Sequence, residues 1–226
     1  MQHTFRALSV PRHPVWLRVT HGINALAVVA LAVSGVAILL ALPRLFWGEV
    51  GANAGPAWLD LPLPLNLEQT GWGRNLHFLA AWIFVLNGFI YLTLSSIGGR
   101  LWRRLVPDRD QVRPAAIRAE IRQHLRPTGE VAQRYNVLQK ISYLVVVLVL
   151  SPVMLVSGLT MSPGVTTAVP ELLALFGGRQ SARTIHFLTA CTLLLFLAVH
   201  VWQVLVNRPG RLLRGITIGG HVERDQ

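Results

Sequence analysis

Four histidines stand within or at the edge of long apolar runs: His21, His77, His186 and His200. An ionisable side chain in such a run is expensive and usually functional. Neutral imidazole presents one nitrogen to a transition metal while a neighbour orients the other. His186 and His200 share the run Thr184–Val206, which carries no formal charge. At ~100° per residue they lie about 40° apart around one helix. At ~1.5 Å per residue they lie about 21 Å apart along it. That pattern reads either as two packing histidines, each hydrogen-bonded to a neighbour, or as two ligands on one wall of a helix bundle. The other four, His3, His13, His124 and His221, fall in polar segments and read as titrating in water or at headgroups.

The elements that must position these side chains are membrane helices. The chain has 226 residues, 52% hydrophobic and 14% charged, which is too apolar for an ordinary soluble domain. Four apolar runs predict an all-α membrane protein, one four-helix bundle over 1–226 with spans at about 22–42, 75–97, 138–161 and 184–206. Each is long enough to cross a hydrocarbon core of ~30 Å. The basic start and first run resemble a signal peptide, but the run exceeds the usual apolar length and reads as an uncleaved span. Ser34-Gly35 lies within the first span. The third has no histidine; Pro152 should kink it, and Ser157-Gly158 offers a close-packing spot. Asp110–Arg126 has helical spacing, with Ile117, Ile121 and Leu125 on one face and Arg118, Arg122 and Arg126 on another. It reads as an amphipathic helix on the membrane surface, where its arginines meet anionic lipid rather than nucleic acid. The single cysteine, Cys191, excludes an intrachain disulfide and covalent CxxCH haem attachment. It reads as a small packing residue.

Orientation follows from charge. The N-terminal stretch, residues 98–140 and the tail hold 17 of the 21 Lys and Arg; the rest are Arg44, Arg74, Arg179 and Arg183. The positive-inside rule then puts both termini in the cytoplasm. The loops 43–75, rich in Pro, Gly and Trp, and 162–183 face outward and are expected to dock a partner. This topology gives each histidine a depth. His21 and His200 fall at the inner edge, His77 and His186 at the outer. Two levels about 21 Å apart, each with two imidazoles, are what two stacked bis-histidine b-type haems need. With both axial positions filled, such a haem is built for electron transfer. Gly35 and Gly88 fall at haem depth, as clearance for a flat macrocycle or as helix-packing glycines. Zinc fits less well, because one tetrahedral site wants its ligands clustered.

The four-histidine pattern resembles the membrane cytochrome b subunits of nickel–iron hydrogenases, formate dehydrogenases and thiosulfate reductases. So does Arg134-Tyr135-Asn136-x-x-Gln139-Lys140. The stretches WGEVG (47–51), GWGRNLHF (71–78), GLTMSPG (158–164) and GGRQSARTIHF (177–187) look closest to the thiosulfate-reductase-like branch. The resemblance implies metal ligation by His77 with His186 and by His21 with His200. It implies a bacterial inner-membrane protein passing electrons between the quinone pool and a periplasmic partner, a molybdopterin oxidoreductase in that branch. It also implies a quinone site at the inner end, with Asn136 and Gln139 hydrogen-bonding the carbonyl and Arg134 and Lys140 stabilising the reduced form. The same residues read otherwise as the basic entry to a helix. Two further functions compete: a stand-alone di-haem quinone oxidoreductase that reacts with a diffusible one-electron partner such as superoxide, and a non-haem anchor or transporter with structural histidines.

Overall fold

The computed structural model describes residues 9–11, 13–51, 55–62, 71–97, 106–108, 110–124, 137–206, 209–219 and 221–223. Four helices among them are long and apolar enough to cross a membrane. They are α1 (Val15–Ala41), α2 (Trp72–Ser96), the composite Val137–Thr160, and α8 (Arg179–Val206). The composite consists of α4 (Val137–Val145), a π-helical turn (Val146–Leu150) and α5 (Ser151–Thr160).

The bundle is held by small and polar residues, with its large apolar side chains outward. On α1 the buried positions are Thr20, Ala27 and Ser34; on α2 they include Gly73, Ala80 and Asn87. Both sets recur every seven residues, the spacing of a left-handed helix pair. Small residues let the two backbones approach where lipid supplies no hydrophobic drive. Asn87 adds a polar tie, donating to Thr20 O at 2.8 Å and to Asn24 Oδ1 at 2.7 Å. Leu26, Val29, Val33, Leu86, Phe89, Leu195 and Trp202 are among the many exposed apolar residues. A surface this apolar belongs against acyl chains. Cys191 is exposed as well, so it does not pack in the bundle as the sequence suggested.

The proline in the third span leaves a definite mark. Pro152 has no N–H to give to the preceding turn. The chain meets that loss with the π turn just before it, where the Ser151 N–H and hydroxyl both reach back five residues to Val146 O.

The loop after α1 is more structured than its composition predicts. β2 (Arg44–Leu45) pairs antiparallel with β3 (Leu59–Asp60). Arg44 and Asp60, directly opposite, form an ion pair at 3.1 Å. Leu45 and Phe46 are buried. Two short helices, α6 (Pro163–Ala168) and α7 (Glu171–Phe176), precede α8. At the other end, β1 (Ser9–Pro11) pairs with β4 (His221–Glu223) beside α9 (Pro209–Thr217). Within the expected surface segment, helix α3 covers Pro114–His124.

Candidate functional site

His77 lies in the second turn of α2 and His186 in the third turn of α8. Their ring centroids are 6.2 Å apart and their planes cross at 61°. The other two spans supply one Ser-Gly pair each. Ser34 Oγ on α1 lies 3.0 Å from His77 Nδ1, and Ser157 Oγ on α5 lies 3.0 Å from His186 Nδ1. Both serines are fully buried. The following glycines leave room for the same rings. A Cβ at Gly35 would stand 3.7 Å from His77 Cε1, and one at Gly158 only 3.3 Å from His186 Cε1. Each of the four spans therefore contributes to one site.

The hydrogen bonds fix a direction. Each serine donates its one hydroxyl proton to its own helix, Ser34 to Ala30 O and Ser157 to Val153 O, both at 2.6 Å. Its oxygen is left to accept, so the ring nitrogen must be the donor. Nδ1 of each histidine then carries the proton, and Nε2 of each keeps its lone pair for a metal. The spacing matches one iron between two imidazoles: two metal–nitrogen bonds of ~2 Å plus two ring half-widths of ~1 Å make about 6 Å. A closed zinc site does not arise, since no group of three or more His, Cys, Asp or Glu is placed to hold a metal among the described residues. His77 and His186 could hold a b-type haem iron, which would supply one-electron transfer.

At the opposite end of α8, His200 stacks on Phe196 with centroids 6.2 Å apart and planes 18° apart. Phe196 meets Tyr143 of α4 edge-on at 6.1 Å. His21 lies in the second turn of α1 and is exposed. Gly88 on α2 has open space where a side chain would stand.

The remaining candidates are arranged differently. Arg134 and Asn136 lie outside the described residues. Gln139 is half-buried on α4. Lys140 beside it is 7% exposed. Its ammonium faces the 106–111 segment, 2.9 Å from Gln111 Oε1, 3.4 Å from Val106 O and 3.6 Å from Asp108 Oδ2. Three acceptors match its three protons.

The loop after α1 also builds the site. Gly48 O accepts the N–H groups of Gln180 and Ser181 at 3.0 and 3.2 Å, and Gly48 N–H donates to Ser181 Oγ at 2.7 Å. Gly178, at φ +112°, passes so close that a Cβ there would sit 2.5 Å from the Gly48 carbonyl. Thr184 Oγ1 donates to Phe46 O at 2.7 Å, and Arg183 donates to Leu42 O. These bonds fix the first turns of α8, just before His186. Ser34, Ser157 and the loop contacts were not assigned these roles from sequence. The one signal available was the recurrence of Ser-Gly toward the C-terminal ends of the first and third spans.

Four apolar helices around paired imidazoles define a membrane cytochrome of the b type. The chain belongs to the prokaryotic cytochrome b561 family, whose model matches residues 12–219. It is 33% identical over 197 residues to the putative protein-methionine-sulfoxide reductase subunit YedZ1 of Azospira oryzae, covering 85% of this chain and 89% of that one. No solved structure matches it. The protein is a haem-containing, multi-pass bacterial membrane subunit that transfers electrons through b-type haem.

Proposed function

We propose that the chain holds two bis-histidine b haems and links the quinone pool to a periplasmic oxidoreductase. His77 and His186 hold the outer haem, and His21 and His200 the inner one. Gly88 leaves room for a macrocycle, and Gly35 leaves room for the His77 ring. Both termini face the cytoplasm. Quinone binds at the inner end, near Arg134, Asn136, Gln139 and Lys140.

The observation that carries this reading is the facing of His77 and His186 at 6.2 Å with both Nδ1 protons engaged. Bound haem supplies one-electron transfer with no open position for substrate. The chain's own part is to hold each imidazole in one tautomer and to keep the outer pair among buried Ser34, Ser157 and Thr184. The relative is named a subunit, which favours a soluble partner over a stand-alone enzyme. A molybdopterin-dependent partner agrees with the motif resemblance. The relative's name makes oxidised methionine in proteins the first substrate to test, with electrons running outward from quinol.

The test is a redox-titrated visible spectrum of the purified protein. Two low-spin b-type components are expected. His186→Ala should remove one and His200→Ala the other, and added quinol should reduce both in wild type. A wild-type protein with no b-type spectrum, or an undiminished haem content in His186→Ala, would sink the reading. Pull-down with tagged chain should recover a soluble redox protein.

A further inference from the structure

The outer site is built from two copies of one half-site. In each, a Ser-Gly pair on one helix embraces a histidine on the next: Ser34-Gly35 with His77, and Ser157-Gly158 with His186. The serine oxygen takes the Nδ1 proton, and the bare glycine backbone sits against Cε1, the ring carbon next to Nδ1. The serine pins the polar edge of the ring, and the absent Cβ leaves the ring its space.

We infer that Ser34 and Ser157 are positioning residues that set the 61° angle between the two imidazole planes and the electron-donating strength of both ligands. This rests on the haem reading above. Each hydroxyl is itself anchored to a carbonyl, Ala30 O or Val153 O, at 2.6 Å. It cannot swing away without breaking that bond, so the acceptor stays in place while the ring is held. A hydroxyl that donates to a carbonyl is a better acceptor for the next bond in the chain. An N–H···O bond at Nδ1 raises the basicity of Nε2. A more basic ligand favours ferric iron and lowers the potential. The serines therefore tune the ligands, while His77 and His186 would hold the iron itself.

The experiment compares wild type with Ser34→Ala, Ser157→Ala and the double variant, in the full chain. Haem content per protein and helical content are measured first. The outer component is the one that His186→Ala removes. In the serine variants that component should rise in potential while the other stays put. The double variant should shift its ferrous-to-ferric ratio by several-fold to about tenfold at a fixed potential, tenfold being ~59 mV for one electron. The ferric electron paramagnetic resonance g values, which report the angle between axial ring planes, should change with it. Ser157→Cys fills the same space with a weak acceptor and should shift in the same direction. The inference is overturned if the double variant and Ser157→Cys bind haem with wild-type potential and wild-type g values. Absence of the outer component from wild type itself would instead defeat the haem reading.

Discussion

The carboxylate of Glu49 accepts the backbone N–H of Arg179 at 2.6 Å across 130 residues of chain. Arg179 opens the helix that carries His186 and His200. The first N–H groups of any helix lack partners within it, and a negative charge there also opposes the helix dipole. The loop after α1 thus caps the helix that carries His186 and His200. Glu49→Ala should lower stability by about 1 kcal/mol. Thr184→Val should cost more, roughly 1–3 kcal/mol, because it strands the buried Phe46 carbonyl. Thermal loss of the haem absorption band checks both, and an order reversed between the two variants would contradict this account of the cap.

The same geometry changes what a loop deletion should do. Read from sequence, the loop 43–75 is a surface for docking a partner. In the structure, Leu45 and Phe46 are buried and Gly48 grips the start of α8. Deleting Trp47–Trp58 removes Gly48 and Glu49, so it should release the outer haem. Trp47 and Trp58 themselves are exposed and meet edge-on at 5.7 Å. Trp47→Ala and Trp58→Ala should leave the absorption spectrum intact, which makes them the right variants for testing partner docking. A deletion mutant with full haem content would show the loop to be dispensable for the site.

Hydropathy made the four spans legible, because bilayer thickness writes itself into the length of an apolar run. It did not mark the helix ends. α1 begins at Val15 and α8 at Arg179, outside the apolar runs that begin near 22 and 184. Those turns lie where polar groups are tolerated, and Pro14, Glu49 and Gly48 set the starts. The roles of Ser34 and Ser157 were hidden for another reason. Each bond joins helices 43 or 29 residues apart in sequence, and periodicity within one helix carries no information about a partner on another. The third span looked idle without a histidine; its contribution is an acceptor.

The two glycines of the outer site should respond differently to the same change. Alanine is favoured over glycine in a helix by about 1 kcal/mol. At Gly35 the new methyl would meet His77 at 3.7 Å, an ordinary contact. At Gly158 it would meet His186 at 3.3 Å, and the ring is already held by Ser157. Gly35→Ala should keep wild-type haem content and melt no earlier. Gly158→Ala should lose outer haem or bind it with altered g values. Equal haem retention and equal spectra in the two variants would show that the Gly158 contact exerts no constraint.

Lys140 separates a structural role from a quinone role. Its ammonium is buried and met by Gln111, Val106 and Asp108. Asp108 is 80% exposed on its side chain, so that ion pair adds little, about 0–1 kcal/mol. The bonds to Gln111 and Val106 tie the 106–111 segment to the first turn of α4. Lys140→Met should free that segment, raising proteolysis there several-fold, whereas Asp108→Asn should not. Gln111→Ala should act like Lys140→Met on proteolysis, since it removes the shorter of the two bonds. Haem reduction by quinol then decides the second role. If Lys140 serves quinone directly, Lys140→Met slows reduction while Gln111→Ala leaves it near wild type. If Lys140 only anchors the segment, both variants alter the rate to the same extent.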